Sequence, residues 1–303
     1  MLTSPTLDKL RDLNLLGMTR AYQEQLQRAD YQALAFDDRL AMLVDVEVQE
    51  RENRRLHRYL KAAKLRDQAC LEDIDFHAPR DLNRSLILEL AEARWVDANQ
   101  SVLVIGATGL GKTYIACALA EAAIRKGHTA LYMRFPRMVD ELVVARVDGR
   151  LPRLLAAWAR VSVLVLDDFA MQPLTSQQSA DLLEVIEDRS QRRSTIVTSQ
   201  MPVKQWHEVL GDATIADAIL DRLVHNAYRL ELRGDSRRRA LRAADDPAGV
   251  TPGPEPAIAP KPTATDGPGR PGRGRGDMDD PPASSSSITP GGVPDYPQTT
   301  ERR

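Results

Sequence analysis

Residues 106–113 have the types and the spacing of a phosphate-binding loop. They read Gly-Ala-Thr-Gly-Leu-Gly-Lys-Thr, which fits the pattern GxxxxGK[ST], between an apolar segment and a helical one. Glycines allow backbone N–H groups to turn toward phosphate oxygens, and a helix that begins there directs its positive end to the same point. The pattern makes Lys112 a catalytic residue at the β- and γ-phosphates and gives the Thr113 hydroxyl to Mg²⁺. The residues predicted to bind ATP are Gly106, Ala107, Thr108, Gly109, Leu110, Gly111, Lys112, Thr113 and Tyr114.

A pair of carboxylates follows the most apolar segment of the chain. Asp167 and Asp168 come directly after residues 161–166, and Asp167 lies 55 residues after Lys112. Ligands of open α/β sheets bind at the carboxyl ends of the strands. We therefore expect Asp167 to be a magnesium ligand, and Asp168 to orient or deprotonate the attacking water as a catalytic residue. Without the preceding phosphate loop, the same pair would indicate only an exposed acidic turn.

Polar residues also end the next apolar segment. Residues 194–198 are followed by Ser199 and Gln200. In a parallel sheet, beside the strand that ends at Asp167, this position lies near the γ-phosphate. Ser199 is the predicted catalytic residue there, as a hydrogen-bonding sensor, and Thr198 and Gln200 remain alternatives. An ordinary strand-to-loop transition would give the same pattern.

These residues depend on an alternation of strands and helices that begins at residue 101. Short apolar segments predict strands at 101–105, 129–133, 161–166, 194–198 and 228–232. Helical spacing predicts helices at 112–125, 137–145, 151–159, 176–189 and 214–226. Thr214 is the predicted N-cap of the last helix. Strands separated by helices indicate the α/β class, with a parallel sheet covered on both faces.

Composition divides the chain into three parts. Residues 1–75 contain a single glycine, Gly17, and are predicted to form a helical domain for DNA or partner binding, with a long helix over 36–66. Residues 76–242 form the predicted ATPase domain. Residues 243–303 hold 13 of the 19 prolines and 9 of the 17 glycines, and this concentration predicts a disordered tail.

Charge and cysteine content exclude several classes of protein. The net charge of −2 excludes histone-like binding through bulk charge. The two cysteines, Cys70 and Cys117, lie far apart, so neither a disulfide framework nor a zinc site is expected. The first residues lack a signal-peptide core, and no run approaches 18 apolar residues. We therefore expect a cytoplasmic protein without a membrane partner.

A strongly basic segment lies at the end of the predicted long helix. Residues 51–66 contain seven basic residues and one acid, around an apolar stripe at helical spacing. This pattern favours phosphate contacts with double-stranded DNA, largely without sequence preference, because no base-reading motif stands out. The alternatives are a solvated charged face and a helix on a membrane surface. The predicted DNA-binding residues are Arg54, Arg55, Arg58, Lys61 and Lys64, with Arg137 from a second basic region at residues 134–160.

The motifs and the text around them resemble the IstB-like helper ATPases of bacterial insertion sequences. These are AAA+ proteins related to DnaC-type helicase loaders. Besides residues 106–113, 167–168 and 198–200, the likeness is carried by residues 51–76, 82–96, 192–232 and 234–239. It covers nearly all of residues 7–240 and none of the tail. It implies an AAA+ P-loop core with a parallel sheet, behind a helical amino-terminal domain.

The resemblance also implies an activity. Helpers of this group hydrolyse ATP to ADP and phosphate, assemble as ATP-dependent homo-oligomers on target DNA, and assist the transposase of the same element. An arginine of one subunit completes the ATP site of its neighbour, and Arg222 falls at the matching motif as a catalytic residue. From spacing alone, the alternative for Arg222 is a surface ion pair. Asp168 replaces the longer glutamate of many AAA+ enzymes, which predicts slow hydrolysis suited to a regulatory switch.

Three other functions share part of this pattern. A DnaC-like replicative helicase loader has the same ATPase core, but the likeness at residues 51–76 favours the insertion-sequence helper. A small-molecule P-loop kinase has no use for the Arg222 motif or the basic helix. An inactive interaction protein does not need Lys112, Thr113 and both acids intact.

Overall fold

Helices form the amino-terminal part of residues 5–234, the range that this computed structural model describes. Helices α1 (Pro5–Asp12) and α2 (Leu16–Gln27) precede a 3-10 turn at Ala29–Ala33 and the long helix α3 (Phe36–Ala63). The helix predicted over 36–66 ends early because Lys64 adopts a left-handed conformation, with φ of 51°. The predicted tail at 243–303 lies outside the described residues.

A connector of short elements leads from these helices to the sheet. It contains a 3-10 turn at Leu71–Asp73 and the helices α4 (Arg84–Ala91) and α5 (Arg94–Asp97). The side chain of Asn83 caps α4 by accepting a hydrogen bond from the Leu86 N–H at 3.1 Å.

Strands and helices then alternate as the sequence predicts. The strands are β1 (Ser101–Gly106), β2 (Ala130–Arg134), β3 (Val163–Asp167), β4 (Ser194–Ser199) and β5 (Ala227–Leu232). The helices are α6 (Lys112–Arg125), α7 (Phe135–Val147), α8 (Leu151–Arg160), α9 (Ser176–Arg189), α10 (Val203–Val209) and α11 (Ala213–Val224). Helix α10 was not predicted. The N-cap of α11 is Asp212 rather than Thr214, because the Asp212 carboxylate accepts from the Ile215 N–H at 3.0 Å.

All five strands are parallel, in the order β2-β3-β4-β1-β5. The carboxyl ends of parallel strands meet at one edge, and the central strands β3, β4 and β1 bring their ends together there. Ile105 of β1 is opposite Ser199 of β4, and Arg134 of β2 is opposite Asp167 of β3. The three motifs that follow these strands in sequence therefore share one edge of the sheet.

Helices cover both faces of the sheet with apolar side chains. On one face, Ile115 and Leu119 of α6 are fully buried against the strands. On the other face, Phe169 packs between Phe135 and Trp206 with the rings tilted by 52° and 58° and their centroids 4.5 and 4.7 Å apart. Burial of each of these large side chains contributes about 1.5–3 kcal/mol to the stability of the fold. This packing holds in place the strand ends that carry the polar residues.

The long helix α3 joins the amino-terminal helices to the sheet. At its middle, the buried Glu47 carboxylate accepts from the Gly17 N–H of α2 at 2.8 Å. At its end, Ala63 is fully buried, and Leu56, Tyr59 and Leu60 pack against the α6 face of the core. The domain boundary expected at residue 75 stays a prediction. Among residues 5–234, no helix combines the length and apolar character needed to cross a bilayer.

Candidate functional site

The phosphate-binding loop connects the end of β1 to the start of α6. Gly111 has a φ of +87°, which only glycine adopts without strain, and it caps α6. A Cβ at Gly106 would lie 2.5 Å from the carbonyl oxygen of Leu232 in the neighbouring strand. Lys112 is 7% exposed, and its Nζ donates to the Ala107 carbonyl at 2.9 Å. The loop is therefore shaped by its glycines, with the lysine folded over it.

Thr113 and Asp167 meet at the edge of the sheet. The Thr113 hydroxyl donates to Oδ1 of Asp167 at 2.9 Å and is 3.1 Å from Oδ2. A hydroxyl and a carboxylate are oxygen ligands of the kind that Mg²⁺ prefers. Among residues 5–234, no group of three or more His, Cys, Asp and Glu side chains could hold a metal ion. The residues present fit a cation that takes its other ligands from phosphate oxygens.

Asp167 is fully buried and accepts several hydrogen bonds. Oδ2 accepts from the Tyr132 hydroxyl at 2.6 Å, and Oδ1 accepts from the Thr198 hydroxyl at 2.5 Å. Burial and the hydrogen bond to Asp167 raise the pKa of Tyr132 well above its ordinary value. Nη1 of Arg66 lies 3.7 Å from Oδ2. The carboxylate is thus held in one orientation from four sides.

Asp168 lies at the mouth of the same site. Its φ is +59°, which turns the chain sharply after β3. Its carboxylate forms an ion pair with Nη2 of Arg134 at 3.0 Å. Its own N–H donates to the Thr198 hydroxyl at 3.2 Å. Asp167 is therefore buried, whereas the carboxylate of Asp168 is partly exposed at the mouth of the site.

A cavity of about 570 Å³ lies beside the loop and is lined by Asp168, whereas Asp167 is not among its lining residues. Most of the predicted ATP-binding residues line it, namely Thr108, Gly109, Gly111, Lys112, Thr113 and Tyr114. Gly106, Ala107 and Leu110 are not among its lining residues. Two arginines that sequence reasoning did not place at the nucleotide, Arg66 and Arg134, also line it.

At the end of β4, Ser199 has different contacts from its neighbours Thr198 and Gln200. Ser199 is fully buried, and its hydroxyl donates to the Phe169 carbonyl at 2.9 Å. It does not line the cavity, whereas Gln200 does and accepts a hydrogen bond from the Thr108 hydroxyl. Thr198 reaches Asp167 as described above. Of the three residues, Gln200 alone lines the cavity beside the phosphate loop.

Arg80 is hydrogen-bonded to the phosphate loop, and the sequence alone did not identify this arginine as part of the site. Its side chain is 1% exposed. Nη1 donates to the Leu110 carbonyl at 3.1 Å and Nη2 to the Asp75 carbonyl at 2.9 Å. A Cβ at Gly111 would lie 2.8 Å from Nη1, so arginine and glycine are fitted to each other. The only signal in the sequence is an arginine in an otherwise ordinary connector.

Arg222 lies far from the phosphate loop of its own chain. It lines a cavity of about 680 Å³ with Ser101, the first residue of β1, while the loop follows the last residue of that strand. The six-residue strand separates them by about 16 Å, at about 3.3 Å per residue. Nη2 of Arg222 donates to Glu187 at 2.6 Å and Nη1 to the Ala218 carbonyl at 2.8 Å. Arg222 therefore does not reach the phosphate loop of its own chain.

The predicted DNA-binding residues of α3 differ in their surroundings. Arg54 is paired with acids one and two turns earlier, at 3.5 Å from Glu47 and 3.8 Å from Glu50. The guanidinium of Arg58 lies over the Tyr59 ring, 5.4 Å from its centroid. Arg55 is exposed. Lys61, in the last turn of α3, and Lys64, directly after the helix, are also exposed and line the same cavity.

The two basic regions of the sequence meet in space. A cavity of about 530 Å³ is lined by Lys64 and Arg66, at the end of α3, and by Arg134 and Arg137 from the second region. Glu141 is the acid that shares this lining. Because Arg66 and Arg134 also line the cavity beside the phosphate loop, the basic surface is continuous with that site. We call Lys64, Arg66, Arg134 and Arg137 the basic edge.

The family of the chain follows from comparison of its sequence with known proteins. Residues 8–244 match the family described as IstB-like ATP binding protein. The chain belongs to this family. The insertion sequence ATP-binding protein y4pL of Sinorhizobium fredii is 46% identical over 242 residues, which cover 80% of this chain and 99% of that protein. The ATP-binding protein of insertion sequence IS1162 from Pseudomonas fluorescens is 45% identical over 203 residues, 67% of this chain and 88% of that protein.

Two solved structures are more distant from this IstB-like chain. The crystal structure of DnaI covers 55% of this chain and 92% of its own, with 24% identity and a TM-score of 0.47. The DnaC helicase loader covers 57% of this chain and 98% of its own, with 19% identity and a TM-score of 0.44. These values carry no conclusion about function. The family match, the parallel sheet and the loop between β1 and α6 confirm the expected resemblance and the P-loop fold class.

Proposed function

We propose that this IstB-like protein is an ATPase that assembles on double-stranded DNA and assists the transposase of the same insertion sequence. Hydrolysis of ATP to ADP and phosphate is slow and serves as a regulatory switch. The observation that carries the ATPase proposal is the 2.9 Å hydrogen bond from the Thr113 hydroxyl to Asp167. It brings the phosphate loop and the acid at the end of β3 to one point, where a nucleotide phosphate fits.

Each residue of the site has a defined task in this proposal. Lys112 leaves the Ala107 carbonyl and binds the β- and γ-phosphate oxygens. Thr113 and Asp167 would hold Mg²⁺, which would neutralise charge on the phosphates. Asp168 orients the attacking water and accepts its proton. Gln200, which Thr108 holds at the cavity, hydrogen-bonds the terminal phosphate in the role expected of Ser199.

The site is completed by a second subunit. Arg222 leaves Glu187 and contacts the terminal phosphate of the neighbouring chain. An interface of this kind joins different surfaces of the two subunits, so repetition generates rings or helical filaments. ATP bridges the interface, and this explains why assembly depends on the nucleotide.

DNA lies along α3 and the basic edge. Arg55, Arg58, Lys61 and Lys64 supply exposed positive charge on the helix, and Arg137 extends it toward the sheet. Contacts of this type neutralise phosphates without reading bases, so affinity falls steeply with salt. The transposase partner rests on the family and on the insertion-sequence names of the curated relatives.

The test measures the mass of full-length protein mixed with non-specific duplex DNA, with and without ATP. We expect large complexes with ATP, and their loss in Lys112→Ala. The matched control is Lys126→Ala, because Lys126 is an exposed lysine at the far end of α6 paired with Glu92. A protein that stays monomeric on DNA with ATP, or that hydrolyses ATP equally well as a monomer, would contradict the proposal.

A further inference from the structure

Arg66 connects the basic helix to the acid of the nucleotide site. It follows the left-handed residue Lys64, which ends α3. Its guanidinium lies 3.7 Å from Oδ2 of Asp167, and it lines both the cavity beside the phosphate loop and the cavity of the basic edge. Its side chain is 45% exposed, so it has room to turn. Hydrogen bonding to Tyr132 and the charge of Asp167 raise the pKa of Arg66.

The position of Arg66 competes with a cation at Asp167. Thr113, Tyr132 and Thr198 already donate to this carboxylate at hydrogen-bond distance. Arg66 is the positive group beside it and is held at a longer distance than the hydroxyls. A divalent cation on the same oxygens would repel the guanidinium, while the phosphates of a nucleotide in the adjoining cavity would attract it.

We propose that Arg66 is a nucleotide-binding residue that exchanges Asp167 for the terminal phosphate of ATP and so distinguishes ATP from ADP. This inference rests on the proposed ATP site but adds a residue of the same chain to it. Arg66 is supplied by the segment after α3, whose last turns are anchored by the buried Ala63. The exchange is therefore a rotation of one side chain, with the helix held in place.

The chemistry of the terminal phosphate favours this partner. An arginine binds phosphate through a planar fork of N–H donors, and a charge-assisted hydrogen bond is about twice as strong as a neutral one. Arg134 is already paired with Asp168 at 3.0 Å, so the two arginines do not have the same freedom. Arg66 gives up the longer pair with Asp167 and its hydrogen bond with Tyr132.

The experiment measures the affinities of full-length protein for ADP and for a non-hydrolysable ATP analogue by fluorescence, with Mg²⁺ and with a chelator. The variants are Arg66→Ala, Arg66→Lys and the control Arg125→Ala. Arg125 is an exposed arginine at the end of α6, paired with Glu121 and Glu72. Thermal unfolding of each variant checks that the fold is kept.

In Mg²⁺, we expect Arg66→Ala to lower the affinity for the ATP analogue about tenfold relative to the affinity for ADP. Arg66→Lys should retain part of the preference, because it keeps the charge without the fork. Arg125→Ala should keep the wild-type ratio. If Arg66→Ala leaves the ratio of the two affinities unchanged, or lowers the affinity for both nucleotides equally, the inference is overturned and the proposed function still holds. Failure of the wild-type protein to bind either nucleotide overturns both.

Discussion

Lys112 and Arg222 lie at opposite ends of the same parallel sheet. Lys112 begins α6 directly after the phosphate loop, and Arg222 shares a cavity with the residue that begins β1. No rotation of either side chain spans the length of the strand between them. If both residues act at one catalytic site, two copies of the chain are required, with Arg222 of one copy facing Lys112 of the next.

The first prediction concerns the separation of binding from hydrolysis. We expect Arg222→Ala to bind ATP with unchanged affinity and to hydrolyse it about 10³-fold more slowly, the range reported for arginine fingers. The measurements are nucleotide affinity and phosphate release in the presence of DNA. Glu187→Gln is the control, because it removes the present partner of Arg222 and keeps the arginine. Equal hydrolysis by Arg222→Ala and wild type would show that the arginine is only a surface ion pair.

The end of β4 gives a second prediction. Gln200→Leu should lower hydrolysis without lowering the free energy of unfolding, because Gln200 lines the cavity at the surface. Ser199→Ala should lower the free energy of unfolding by about 1–3 kcal/mol, since its buried hydroxyl joins the Phe169 carbonyl to the Met201 N–H. Urea unfolding and phosphate release measure the two effects. The opposite assignment of effects would restore Ser199 as the sensor.

Arg80 provides a third prediction. Arg80→Lys keeps the charge but cannot reach the Leu110 and Asp75 carbonyls together, so the phosphate loop loses its support. We expect ATP affinity to fall about tenfold and the free energy of unfolding to fall by about 1–3 kcal/mol. Titration with a fluorescent nucleotide and urea unfolding give the two values. Full ATP affinity in Arg80→Lys would mean that the loop holds its shape alone.

A fourth prediction concerns the salt dependence of DNA binding. Removal of Lys61 and Lys64 together should reduce the slope of log affinity against log salt by about two, one for each phosphate contact. Arg54→Ala should reduce it less, because Glu47 and Glu50 already oppose that charge. The slope is measured on non-specific duplex across a salt series. Lys126→Ala, outside this surface, is the control that should keep the wild-type slope.

Much of the site could be predicted because its signals are local in sequence. The phosphate loop and the acids after β3 each sit where a buried strand ends, and a parallel sheet brings such ends together. Spacing along α3 likewise predicted a long helix with its apolar side on the core. The helix ends at Ala63 because Lys64 takes a left-handed conformation, which no residue type in the pattern demanded.

Other parts depended on contacts between distant segments. Arg66 and Asp167 are 101 residues apart, and nothing near Arg66 in sequence indicates a nucleotide site. Because β4 is buried along its whole length, the polarity of Thr198 and Ser199 does not reveal which of them faces Asp167. Neighbouring residues of a strand point to opposite faces, and Thr198 takes the face of Asp167.

The proposed catalytic site is shared between two subunits, and a mixture of two inactive variants distinguishes this arrangement from a site within one chain. Asp168→Asn lacks the acid that orients water, and Arg222→Ala lacks the group donated to the neighbour. In random mixed assemblies on DNA, about a quarter of the interfaces combine an intact Asp168 with an intact Arg222. A shared site predicts that hydrolysis returns to about a quarter of the wild-type rate. If mixed assemblies form, as shown by their mass, and hydrolysis stays at the level of the single variants, the shared site does not exist.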